Sequence, residues 1–194
     1  LYYCFLSWLV QVARKDGIRK LVFIGRDGYY WEKTMQLLDE KYKLGFDFTY
    51  LHASRKIFSF ASFRQLDARA LEFLSTPNSS LRVRDFIDRT GLSSCQYLDL
   101  IQTVGFSSPD EVITSDIGGK FLLPIYKSRL NNLFRLVEVD LLVSFKRCRK
   151  GLLQSLKEKS FDIQDSAIVD IGWQGSSANA LTHLLELQDT GSLK

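Results

Sequence analysis

Two short apolar runs, each closed by a glycine-rich polar turn and followed by a helical pattern, constrain this chain more than anything else in it. The first is Lys20-Leu21-Val22-Phe23-Ile24, leading into Gly25-Arg26-Asp27-Gly28. The second is Ala167-Ile168-Val169-Asp170-Ile171, leading into Gly172-Trp173-Gln174-Gly175-Ser176-Ser177. Unbroken β-branched runs of this length suit strands buried on both faces, as in a parallel sheet. In an open α/β sheet, the turn after such a strand lies at its carboxyl end, where ligands bind. A parallel sheet can bring the two turns together although most of the chain separates them.

The rest of the pattern fits an α/β Rossmann-like parallel sheet with a helical insertion. Helical spacing of Phe5, Leu6, Leu9, Val10 and Ala13 predicts a helix over Tyr2 to Asp16, stopped by Gly17. Lys20 to Ile24 is a strand, Tyr29 to Lys43 a helix, and Phe46 to Ala53 a second strand ending in Ser54-Arg55-Lys56. Helices follow over Asp67 to Ser75, Leu81 to Arg89 and Ser93 to Val104, with a loop at Thr76 to Ser80 and a turn at Gly118-Gly119. Leu122 to about Leu156 is one long helical stretch with a kink expected near Gly151. Asp165 to Ile171 returns to strand, and Ser176 to Leu187 is the last helix. The expected division is 1–66 and 161–194 for the two parts of the α/β core, with 67–160 as the insertion. Only three strands are evident, few for a sheet of this class. The chain opens without Met and ends at Gly191-Ser192-Leu193-Lys194, so we read it as a piece of a larger domain.

Composition narrows the partners. A chain of 194 residues, 45% hydrophobic and 25% charged, is ordinary for a globular domain. The net charge of +4 fits an anionic ligand or a weakly basic face and gives no argument for nucleic acid. Cys4, Cys95 and Cys148 form no CxxC pair and read as buried thiols in a reducing, cytoplasmic compartment. With His52 and His183 the only histidines, and both read as packing residues, a zinc site is not expected. Leu1 to Val12 is too short to span a bilayer, and Arg14, Lys15 and Asp16 follow it, so no transmembrane segment or signal peptide is expected.

Each turn carries candidate chemistry. In the first, Gly25 and Gly28 allow a sharp turn and a close approach to a ligand. The following helix offers unpaired N–H groups to an anion. Arg26 suits a bidentate contact with phosphate or carboxylate, and Asp27 suits metal binding, base work or helix capping. Equally, Arg26 and Asp27 could be an ion-paired, capped turn with no ligand. In the second, Asp170 ends an apolar strand, where an acid needs a partner. It binds a cation, pairs with arginine, handles a proton or simply orders the loop. Gly172 and Gly175 free that loop, and Ser176 and Ser177 offer hydroxyls at a helix start, as phosphate ligands or as an N-cap. Arg55 is the third element: it binds phosphate, stays solvated, or neutralises Asp27 or Asp170.

Two other patterns have plainer readings. Leu81 to Val104 has helix-turn-helix length, but its second helix carries Asp99 and no Lys or Arg, which does not suit a DNA groove. The run Lys146-Arg147-Arg149-Lys150 reads as a solvated helix face or a favourable helix C-terminal end.

Three blocks in order, Gly17 to Tyr29, Tyr50 to Lys56 and Val169 to Ser176, resemble a family of bacterial proteins. They are described as predicted hydrolases of the haloacid dehalogenase superfamily. These often stand beside, or fused to, glycosyltransferases for capsule and other surface polysaccharides. The resemblance covers nearly the whole chain. It implies a phosphorylated small-molecule ligand, a sugar phosphate or nucleotide sugar, with Mg²⁺. Asp27 or Asp170 would lie near the metal, and Arg26 or Arg55 on phosphate. Dehalogenase-type phosphatases use an Asp-x-Asp motif, which this chain lacks; Gly172 stands where the second Asp would be. The resemblance then places the nucleophile upstream of Leu1. The two turns are also similar, in order and topology, to the pyrophosphate and phosphoribosyl loops of type I phosphoribosyltransferases. A third expectation is a non-catalytic module that positions a fused or neighbouring glycosyltransferase.

Overall fold

The structure, a computed structural model, describes residues 2–77, 82–114, 122–162, 164–172 and 175–189. The Gly118-Gly119 turn, the end of the loop at 78–80, Trp173, Gln174 and the last five residues lie outside these. The chain divides into two compact units, Leu1–Ser62 with Cys148–Lys194, and Phe63–Arg147.

The first unit is a parallel α/β sandwich. Its elements are α1 (Tyr2–Lys15), β1 (Lys20–Ile24), α2 (Gly25–Tyr42), β2 (Asp47–Leu51) and α3 (Arg55–Ser62). The chain returns to it through the last part of a long helix, Glu138–Glu158, then β3 (Ser166–Asp170) and α9 (Ser176–Asp189). The sheet order is β2-β1-β3, all parallel. Ile24 pairs with Leu51 on one side and with Asp170 on the other, so the three carboxyl ends finish level. The chain leaves β1 for one edge and later returns to its other side. The gap between β1 and β3 is therefore the switch point of the sheet.

Strand alternation assigns the layers. Leu21, Phe23 and Val169 face α1 and α2, packing with Leu6, Leu9, Ala13 and Met35. Val22, Ile24 and Leu51 face the other way, onto Phe58 and Ala61 of α3, Leu152 and Leu156 of the long helix, and Leu181 and Leu184 of α9. Because Leu152 and Leu156 join this core, the end of the long helix belongs with the sheet.

The second unit is helical: α4 (Ala68–Ser75), α5 (Val83–Asp88), a 3-10 turn (Ser94–Tyr97), α6 (Leu98–Thr103), α7 (Pro124–Leu136) and the first part of α8 (Glu138–Glu158). Phe86, Ile101, Leu133, Phe134 and Phe145 are among its fully buried side chains. Asp67 caps α4 by accepting the Ala70 N–H at 2.8 Å. At the other end of α4, the Arg89 guanidinium donates to the carbonyls of Phe73, Leu74 and Thr76 and stacks on the Phe86 ring, 4.7 Å from its centroid. Burial lowers the Arg89 pKa to about 10, so it remains charged at neutral pH.

Several expectations change. The helix expected from Tyr29 starts at Gly25, because one residue suffices for the turn: Gly25 has φ +75°, and Arg26 already opens the helix. Gly28 lies inside that helix, where a Cβ would sit 3.3 Å from the Phe23 carbonyl carbon, so its role is the close fit of α2 on β1. The stretch Leu122 to Leu156 is two helices, divided at Val137 (φ −105°, ψ 20°), and Gly151 lies within the continuous span of α8. The helix expected over Ser93 to Val104 starts as a 3-10 turn and becomes α-helical only at Leu98. Cys4 and Cys95 are exposed and Cys148 half-buried, since Cys4 falls off the Leu6–Leu9–Ala13 face. His52 is exposed and His183 half-exposed, so neither is a core residue.

Candidate functional site

The level carboxyl ends of β1, β2 and β3 each lead into a helix: α2 directly, α3 after His52-Ala53-Ser54, and α9 after the loop at 171–175. All three helices therefore start at the carboxyl end of the sheet, α2 over one face and α3 and α9 over the other. Between these starts lies a cleft of about 480 Å³. Its lining includes Gly25, Arg26, Asp27 and Gly28 from the first turn, Ser54 and Arg55 from the β2 end, and Asp170, Gly172, Gly175, Ser176 and Ser177 from the second turn. The fold thus brings every candidate residue of the sequence to one place.

Their individual settings differ. Arg26 is 94% exposed and only 4.0 Å from Asp27, a contact too loose and solvated to fix either side chain. Arg55 is exposed at the start of α3 and, among the described residues, pairs with no carboxylate. Ser54 caps α3 by accepting the Ile57 N–H at 3.4 Å. Asp170 is already engaged: Oδ1 accepts the Gly172 N–H at 2.9 Å, and Oδ2 accepts the Ala178 N–H in the first turn of α9 at 3.4 Å. A Cβ on residue 172 would lie 2.9 Å from Asp170 Oδ1, so Gly172 is what lets this acid fold back onto its own loop. Gly175, just before Ser176, takes φ +57° and donates to the Gly172 carbonyl at 3.4 Å.

Electrostatically, the cleft combines helix starts and two guanidiniums with the carboxylates of Asp27 and Asp170. The opening N–H groups of a helix have no partner within it and carry the positive end of its dipole. The carboxylate of Asp170 is offset by the amides it accepts from. Arg26 and Arg55 extend their guanidiniums at the rim with little to hold them. Asp27 and Asp170 are the carboxylates in the cleft lining that could hold a Mg²⁺ ion. Each Asp170 oxygen already accepts one amide N–H, and among the described residues no group of three His, Cys, Asp or Glu side chains could hold a metal.

Residues not singled out in the sequence also shape the site. Tyr50 donates its hydroxyl to the Gly25 carbonyl at 2.9 Å, pinning the turn from the β2 side. The polar strand end expected at Ser54-Arg55-Lys56 is where α3 begins, and the capping serine Ser54 is the signal for it. Among the described residues no helix is long and apolar enough to cross a membrane. No known family model matches the chain, and no curated protein matches it significantly.

Proposed function

We propose that the strand-end cleft binds a phosphorylated small molecule, a sugar phosphate or nucleotide sugar, in bacterial surface-polysaccharide synthesis. The observation that carries this reading is the meeting of both glycine turns and Arg55 at the switch point of a parallel sheet. Phosphate oxygens would accept N–H groups from the starts of α2 and α9, where helix ends favour anions. Arg26 and Arg55 would close over them with charge-assisted bonds. Ser176 and Ser177 would add hydroxyl donors.

The resemblance to haloacid dehalogenase-type hydrolases suggests phosphoester hydrolysis or phosphoryl or glycosyl transfer. No Asp-x-Asp supplies the nucleophile here, and Asp170 is tied to its own loop. We therefore assign this chain ligand holding and give Asp170 a positioning role. Magnesium enters the reading as a counter-ion brought on the ligand's phosphates, the usual mode for this ion. The engagement of Asp170 also favours the second reading, a non-catalytic module beside a glycosyltransferase.

Calorimetric titration of the whole chain with inorganic pyrophosphate, with and without Mg²⁺, tests the proposal. Saturable binding is expected, weakening with salt, and Arg55→Ala should lower affinity about tenfold or more. Failure to bind under either condition, or an unchanged Arg55→Ala, would remove the anion site.

A further inference from the structure

A second compartment adjoins the cleft. This groove of about 560 Å³ is lined by Tyr29, Tyr30, Tyr50 and His52, and it shares Arg26 and Ser54 with the cleft. Four aromatic rings form a continuous edge-to-face ladder. Centroids are 5.5 Å apart from Tyr30 to Tyr29, 5.6 Å from Tyr29 to Tyr50, and 4.4 Å from Tyr50 to His52. Tyr30 is 70% exposed and Tyr29 42%, on a helix whose buried face is made by Gly28, Glu32 and Met35. Packing of the core does not account for them.

The ladder is fixed relative to the cleft. Tyr50 Oη is bonded to the carbonyl of Gly25, the residue at which the first turn opens, so its ring orientation and that turn are set together. A ligand reaching from one compartment to the other would meet surfaces already in place, which reduces the ordering cost of binding.

Resting on the anion-site reading above, we propose that the ligand is a nucleotide, with its phosphates in the cleft and its base against the tyrosine ladder. The cleft alone is large enough for a phosphorylated hexose. A second, aromatic compartment of similar size calls for a second ring at the far end of the molecule. Bases stack on aromatic side chains with little regard to sequence, and three tyrosines and an imidazole offer faces and edges for it. Arg26, lining both compartments, lies where ribose and phosphate would join.

Titrations of the whole chain with pyrophosphate, a panel of nucleoside diphosphates and glucose 1-phosphate test this. At least one nucleoside diphosphate should bind ten- to a hundredfold tighter than pyrophosphate. Tyr30→Ala should lose most of that gain, keep its melting temperature and bind pyrophosphate as before; Tyr30→Phe should retain the gain. Equal affinity for pyrophosphate and all nucleoside diphosphates overturns the base site and leaves the anion site standing. Tighter binding of glucose 1-phosphate, lost in Tyr30→Ala, overturns the nucleotide in favour of a sugar. Absence of binding by every probe, pyrophosphate included, overturns both readings.

Discussion

Asp170→Ala is expected to lower stability and phosphate affinity together. The carboxylate bridges Gly172 N–H and Ala178 N–H, holding the second turn and capping α9 across it. Its loss leaves both donors unpaired, a change that costs about 1–2 kcal/mol for a helix cap. A fall of about 5 °C in melting temperature follows for a chain of this size. Pyrophosphate affinity should fall at least tenfold, because Ser176 and Ser177 lose their fixed position. Asp170→Asn separates positioning from chemistry. Its side-chain oxygen can still accept from Gly172, but its NH₂ cannot accept from Ala178, so both losses should be intermediate. Wild-type stability and affinity in Asp170→Ala would contradict the positioning role. An Asp170→Asn equal to wild type in both stability and affinity would show that the bond to Ala178 does no positioning.

Arg89→Ala should destabilise the helical unit by about 3 kcal/mol, the range for hydrogen bonds made by a charged group in partly buried surroundings. Its guanidinium takes up carbonyls of Phe73, Leu74 and Thr76 that α4 leaves open at its end, and it covers the Phe86 ring. Alanine removes the donors and the stacking surface at once. Arg89→Lys should recover only part of the loss, since an ammonium cannot reproduce the planar fork. The effect should be flat across neutral pH. The folded pKa of about 10 lies below the ordinary arginine range, so the folded form releases this proton first. Linked stability therefore rises with pH only above about 10. Calorimetry across pH 6 to 9 checks both points; an Arg89→Ala transition within a degree of wild type would show that the α4 end has no need of this cap.

The sheet was legible because its strands are short, apolar and sharply closed. Leu21 to Ile24 must be buried on both faces, and a run that is apolar on both sides suits a parallel strand with helices above and below. From there the meeting of the two turns follows from parallel pairing alone. What the sequence hid had physical reasons. The α3 helix is only eight residues long, too short for its spacing to stand out, and Arg55 and Lys56 resemble a polar strand end. The division at Val137 has no Gly or Pro to announce it. Gly25 and Gly28 looked like one flexible loop; one is a left-handed turn and the other a packing contact inside a helix. The aromatic ladder has no sequence signature, because ring-to-ring contact depends on β2 lying beside α2, which periodicity does not state. Asp170, an acid at the end of an apolar strand, needs a partner, and its partners are backbone amides, which carry no sequence signature.

The most direct test is a map of backbone amide shifts, by two-dimensional ¹⁵N–¹H NMR, as inorganic pyrophosphate is titrated into the whole chain. If the cleft is the anion site, the largest saturable shifts fall together on Gly25 to Gly28 and on Gly175 to Ser177, with one shared dissociation constant. Saturable shifts that miss these amides, or that touch one turn and leave the other still, would contradict a site built from both.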